Sequence, residues 1–189
     1  RGRALRLADR LAEILAARGH EAARKDIGPD VDLSVLVGVA GMPGCADRLV
    51  IVGGDGTVHH AAEAVAEAGV PLYHLATGTE NLFARTFRMP RDPEAAADRI
   101  EAVHPPIEID LGWANGVVFT LMCSVGLDAS VIHRVEAARE RRSGRGGHLG
   151  YVLPALAEAC RPRPARLHIT AGGEPVTSPG GMTGTAVIS

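Results

Sequence analysis

Aromatic rings are scarce in this chain. Phe, Tyr and Trp make up 3% of its 189 residues, so the core has to be packed from Ala, Leu, Val and Ile. Cysteine is sparse too: Cys45, Cys123 and Cys160 lie far apart, with no Cys-x-x-Cys pair and no His/Cys ligand spacing. That argues against a zinc ribbon or a disulfide scaffold and fits a reducing cytosol. No apolar run approaches the roughly 18–20 residues of a membrane span. The opening Arg-Gly-Arg-Ala is no signal peptide. There is no basic excess either: the net charge is −2, which argues against a nucleic-acid partner.

What is present is ordinary globular material, 46% hydrophobic and 22% charged. At about 100–200 residues per domain, the length suits one large domain, or one domain and part of another. Leu5, Ala8, Leu11, Ala12 and Leu15 recur at helical spacing and Gly19 follows as a stop. Residues 33–40 fit a strand or a short buried helix. "DRLVIVGG" (47–54) reads as a strand, 57–69 as a helix, 70–79 as a strand, 81–89 as a short helix stopped by Pro90, and 93–103 as a helix with Pro93 in its first turn. Strand and helix in alternation imply a parallel sheet with crossover helices. Beyond Pro105-Pro106 the pattern turns strand-rich. It has a hairpin signal at Ala114-Asn115-Gly116, helices near 128–141 and 149–160, and strands in "ARLHITAGGEPV" and "TGTAVIS". The chain opens inside a helical pattern and stops inside an apolar strand, which reads as truncation at both ends.

The densest signal is "LVIVGGDGTVHH", where a short apolar strand runs into Gly53, Gly54, Asp55, Gly56 and Thr57. In open α/β sheets ligands bind beyond the carboxyl ends of the strands. Glycines there let backbone amides approach a ligand closely, and the helix that follows adds its positive end, which together make a phosphate site. Two familiar phosphate motifs are absent: there is no Gly-x-x-x-x-Gly-Lys-[Ser/Thr], and His59 stands where a dinucleotide fingerprint needs its third glycine. Instead Asp55 sits in the loop. A carboxylate beside phosphate is repulsive unless a cation or donor intervenes, so Asp55 points to a magnesium-linked nucleotide or to a substrate hydroxyl. The plainer alternative is a turn whose Asp caps the next helix. "ATGTENLFAR" (76–85) repeats the design one strand later. Thr77, Thr79 and Asn81 there are donors to phosphate or ribose, or caps. Neighbouring parallel strands would bring both loops to one edge.

Gly-Gly-Asp-Gly-Thr at 53–57 followed by Gly-Thr-x-Asn-x-Phe-Ala-Arg at 78–85 resembles the catalytic domain of diacylglycerol kinases and related lipid kinases. "IEIDLGWANGVVFTLMCSVGLDASV" is similar to the start of that family's second, β-sandwich domain, and "GHLGYVLPAL" to its Gly-x-x-x-Tyr helix. The resemblance implies an α/β fold, with a three-layer parallel-sheet nucleotide-binding domain over 1–104 and the start of a β-sandwich domain over 105–189. It implies ATP and Mg2+ as cofactors, and transfer of the ATP γ-phosphate to a lipid hydroxyl such as that of diacylglycerol. The nucleotide residues it indicates are Gly53, Gly54, Asp55, Gly56, Thr57, Val58, His59, Gly78, Thr79 and Asn81, with Asp55 the catalytic candidate. It further implies a cytoplasmic enzyme that meets its lipid substrate peripherally, at the membrane surface. Unpaired strand edges at "LHITA" and "TAVIS" favour self-association, including a homodimer.

The chain departs from that pattern in several places. The family's first-strand Asn-Pro-x-Ser-Gly motif is missing. Ala76 replaces a Pro, Glu80 a small residue, and His59 and His60 an Asn and a Glu. The family's catalytic acid lies in an Asp-Gly-Glu motif near the C-terminus. "AGGEPV" (171–176) matches an earlier hairpin, so that acid and its metal ligands are expected beyond Ser189. His59 and His60 point about 100° apart on a helix and cannot chelate one ion. The Arg-rich stretch 134–148 is a solvated helix end or a patch for anionic headgroups. Trp113, Asp110 and Asp128 read as structural. The rival readings are an NAD kinase-like enzyme, which also carries Gly-Gly-Asp-Gly-Thr, and a non-catalytic nucleotide-binding module.

Overall fold

The computed structural model describes residues 2–27, 47–102, 105–126, 129–130, 132, 166–177, 182–183 and 186–188. The readings at 33–40, 134–148 and 149–160 lie outside the described residues, as does most of the helix expected at 128–141. Two units are distinguished, Arg1–Leu121 and Met122–Ser189.

The first unit is built on a parallel strand pair, β1 (Leu49–Gly53) and β2 (Leu72–Ala76), in register from Leu49↔Leu72 to Gly53↔Ala76. Side chains alternate across a strand, and here that alternation feeds two cores. Val50, Val52, Tyr73 and Leu75 face α1 (Gly2–Ala17), through Leu11, Ile14 and Leu15, and α4 (Pro93–Glu101), through Ala96, Ala97 and Ile100. Leu49, Ile51 and Leu72 join the other core, with Val58 and Ala61 of α2 (Asp55–Ala68) and Phe83 of α3 (Leu82–Thr86). The chain is therefore a mixed α/β protein with a small parallel sheet.

Local chemistry sets the helix ends. Gly19, at φ 93°, closes α1, with His20 N donating to Leu15 O and Gly19 N to Ala16 O, so the last carbonyls are satisfied. Gly69, at φ 64°, ends α2. Asp92 caps α4, its carboxylate accepting from Glu94 N and Ala95 N at 3.1 Å, and Pro93 occupies the first turn. α2 begins at Asp55, two residues before its reading from sequence, because a first turn tolerates glycine that an interior would not.

α1 and α4 are also joined by charge. The Arg18 guanidinium reaches Glu101 at 2.7 Å, Asp98 at 2.8 Å and Glu94 at 3.1 Å, and Arg10 shares Glu94 at 3.1 Å. Hydrogen bonding to Arg18 holds the Glu101 carboxyl below its usual range. These groups are solvent-accessible, so the network aligns two helices that the apolar core already holds.

The outer edge of β2 is covered by its own downstream chain. His74 N donates to Met89 Sδ at 3.3 Å, Tyr73 OH to Pro90 O at 2.9 Å and Arg91 Nε to Ala76 O at 3.2 Å. Burial pushes the Tyr73 hydroxyl up to about 12. The folded protein holds that proton more tightly than the unfolded chain does. The stabilisation is therefore complete below the ordinary value of 10.0 and is lost as pH rises through about 12. Tyr73→Phe should flatten the melting-temperature profile over that alkaline window, while removing a hydrogen bond worth about 0.5–1.5 kcal/mol. An alkaline slope identical to wild type would assign the loss to another group.

β3 (Gly112–Ala114) and β4 (Val117–Phe119) form the expected hairpin, turned by Asn115 at φ 51° and Gly116 at φ 77°, the backbone that an Asn-Gly pair favours. The hairpin groups with the first unit, and Val118 is buried on it.

The second unit contains short antiparallel pairs. β5 (Cys123–Val125) pairs with β10 (Ala186–Ile188), β6 (Arg166–Leu167) with β9 (Met182–Thr183), and β7 (Thr170–Ala171) with β8 (Glu174–Pro175). The last pair places "AGGEPV" in a hairpin turned by Gly172 and Gly173, both at positive φ.

Candidate functional site

Because β1 and β2 end at the same level, the two glycine loops emerge side by side. The Gly53 carbonyl is fixed by two donors, Thr77 N at 2.7 Å and His74 Nε2 at 3.0 Å. His74 is wholly buried, and a carbonyl can only accept, so its proton sits on Nε2; Nδ1 has no partner among the described residues. Gly54 is the N-cap residue of α2, extended at φ −102° and without a side-chain cap. Its carbonyl accepts from Thr57 N at 3.0 Å. The amides of Asp55 and Gly56 belong to the first turn, where a helix supplies no acceptor. They form a donor pair at the positive end of α2.

The glycines are needed for different reasons. A Cβ on Gly53 would sit 2.5 Å from Thr57 Oγ1, and one on Gly78 would sit 2.8 Å from Gly54 Cα and 3.0 Å from Asn81 Oδ1. The two loops thus touch backbone to backbone. A Cβ on Gly56 would meet nothing within 4 Å. Among the described residues no packing contact requires that glycine, and the space beside it is open.

The side chains of the motif hold the loops in shape, Asn81 within the second loop and Asp55 between the two. Asn81, 2% exposed and left-handed at φ 53°, closes its amide on Gly78: Oδ1 accepts from Gly78 N at 2.8 Å and Nδ2 donates to Gly78 O at 2.7 Å. Asp55 accepts from Leu82 N and Phe83 N, both at 3.0 Å, at the start of α3. It therefore caps a helix, but the one in the other loop rather than its own. Thr57 is half-buried over Gly53, and Thr79 is exposed. Val58 points into the core and reaches the site only through its backbone. The rings of His59 and His60 meet edge to face at 5.8 Å.

Gly53, Gly54, Asp55, Gly56, Thr57, Gly78 and Asn81 thus form one cluster. The sequence reading missed His74, which clamps the Gly53 carbonyl, and Arg91, tethered to Ala76 O beside the second loop. A polar residue inside the apolar run "VPLYHLA" was the available signal for His74. Among the described residues no group of three or more His, Cys, Asp or Glu could hold a metal.

A family model of the diacylglycerol kinase catalytic domain matches residues 1–114. The chain is 32% identical over 177 residues to a diacylglycerol kinase of Mycobacterium tuberculosis, covering 86% of this chain and 55% of the relative. It is 36% identical over 113 residues to a protein of Pseudomonas fluorescens named "Probable lipid kinase YegS-like", covering 59% of this chain and 37% of the relative. A protein of the same name from Pseudomonas aeruginosa is 38% identical over 117 residues, covering 60% and 37%. The chain therefore spans about half or less of the length of these relatives. No solved structure matches.

Proposed function

This chain belongs to the diacylglycerol kinase catalytic domain family, and from that premise we propose that it carries the ATP-binding part of a lipid kinase. The reaction transfers the ATP γ-phosphate to a lipid hydroxyl such as that of diacylglycerol. What supports this reading is the start of α2 at Asp55, whose first-turn amides have no acceptor within the helix, and a Gly56 where a Cβ would meet no described residue within 4 Å. Relatives named diacylglycerol kinase and lipid kinase support the acceptor class.

In this reading the α2 amides take phosphate oxygens, and the positive helix end offsets their charge. Thr57 and Thr79 are the flanking hydroxyls. His74 and Thr77 hold the Gly53 carbonyl down, so the loop presents donors rather than that acceptor to the anion. Bound Mg2+ supplies charge neutralisation among the phosphates; phosphoryl transfer is otherwise mostly positioning. Helices on both faces of the sheet support a three-layer nucleotide domain, proposed over 1–104, with the start of a β-sandwich domain over 105–189. Among the described residues no helix is long and apolar enough to cross a membrane. We place the enzyme in the cytoplasm, meeting its lipid peripherally, with a homodimer as its proposed assembly.

Calorimetry with Mg-ATP should give a binding signal for the chain and about tenfold weaker binding, 1.4 kcal/mol, for Gly54→Val. A Cβ at Gly54 already lies 3.4 Å from Gly78 Cα, and branching it forces the loops apart. In a longer protein that also carries the family's Asp-Gly-Glu motif, radiolabelled ATP with mixed micelles containing diacylglycerol, or with NAD as the acceptor, separates a lipid kinase from an NAD kinase. Absence of ATP binding in the wild-type chain would sink the nucleotide reading.

A further inference from the structure

Each carboxylate oxygen of Asp55 accepts one hydrogen bond from main chain of the other loop. Oδ2 accepts from Leu82 N and Oδ1 from Phe83 N, across 27 and 28 positions. That is the work of an N-cap residue performed at long range. The reason lies in the neighbouring residues. Asn81, the N-cap residue of α3, has no side-chain cap bond because its amide is closed on Gly78. Gly54, the N-cap residue of α2, has no side chain to offer. One carboxylate at the start of α2 therefore satisfies the start of α3, where a negative charge is favoured.

We propose that Asp55 is a positioning residue that clamps the second glycine loop to the first. It acts through α3, not as a magnesium ligand or as a base on the acceptor hydroxyl. The proposal rests on the nucleotide reading above and sharpens it. The Leu82 and Phe83 amides already hold an internal anion, so they are not the amides that take phosphate. The glycine contact between the loops is non-directional, and the Asp55 bonds give it a fixed angle. Asn at this position keeps one acceptor but turns an NH2 group towards the second amide, donor against donor.

Site-resolved hydrogen exchange on the whole chain tests the clamp. Without nucleotide, Asp55→Asn should speed exchange at the Leu82 and Phe83 amides on the order of tenfold or more, the size expected for losing a hydrogen bond to a charged group. The α1 and α4 amides should keep their wild-type rates. In the wild-type chain, ATP with Mg2+ and ATP with EDTA should leave those two amides equally protected. Asp55→Asn should weaken ATP binding by the same factor with Mg2+ and with EDTA. Unchanged exchange at Leu82 and Phe83 in the variant overturns the proposal. So does a binding loss confined to the Mg2+ arm, or loss of protection in wild type when Mg2+ joins the nucleotide, since the carboxylate would then have turned to the ion. If Asp55→Asn does not fold, the wild-type comparison decides. If wild type binds no ATP, the nucleotide reading fails, and the exchange comparison without nucleotide still decides the clamp.

Discussion

Gly78→Ala should lower the melting temperature and weaken nucleotide binding together, whereas Gly56→Ala should weaken nucleotide binding alone. The added methyl is the same, but what it meets differs. At Gly78 it falls 2.8 Å from Gly54 Cα, which is backbone and cannot rotate away, and 3.0 Å from the Asn81 Oδ1 that pins the loop. Overpacking of this kind costs about 1–3 kcal/mol. It also separates the loops that shape the site, so binding should fall by at least about tenfold. At Gly56 the methyl meets no described residue outside its own helix turn within 4 Å, and the residue lies in the first turn of α2. Alanine is the better helix former there by about 0.5–1 kcal/mol, so stability should hold or rise slightly while the methyl intrudes on the phosphate space. Thermal melts paired with calorimetry read both effects. Equal losses of stability in the two variants would mean that the space over Gly56 is packing space and that no ligand uses it.

Asn81 should be the most costly side chain of the site to replace. Asn81→Ala removes both hydrogen bonds to Gly78 and leaves its N–H and C=O without those partners in a buried setting. It also puts alanine at φ 53°, a backbone region Asn tolerates and Ala does not. An unsatisfied buried polar group costs about 1–3 kcal/mol, and the left-handed backbone adds about 1–2 kcal/mol. Together they should destabilise the chain by about 2–5 kcal/mol. Asn81→Gly restores the backbone freedom without the amide, so it should recover only the conformational part. Denaturant melts of the two variants separate these contributions. If Asn81→Gly matches wild type, the amide bridge to Gly78 contributes nothing and the conformation is all that matters.

Much of the site could be read along the chain because its causes are local. The apolar run before Gly53 gave β1, Gly69 ended α2, Pro93 opened α4, and Asn115-Gly116 turned the hairpin, each through chemistry confined to a few neighbours. Asp55 was harder. Capping rules look three residues ahead, and the amides it satisfies lie on α3. The covering of β2 by Met89, Pro90 and Arg91 was invisible for the same reason, since a thioether, a carbonyl and a guanidinium at strand-edge distances form no sequence motif. His74 stood out only as a polar residue in an apolar strand, and its purpose needed the position of the Gly53 carbonyl. The family resemblance supplied the loops as a pair; how they grip each other had to come from geometry.

The ion pairs between α1 and α4 close loops of 76 to 84 residues, while the bonds from Asp55 to α3 span 27 and 28. Bringing distant segments together costs more chain entropy before any contact repays it. The β1–α2–β2–α3 segment should therefore assemble on its own schedule, with the docking of α1 as the late event that seals the opposite face of the sheet. If that order reverses on heating, α1 should part from the sheet before the glycine loops do, and amide exchange near the transition should show the α1 amides opening ahead of Leu82 and Phe83.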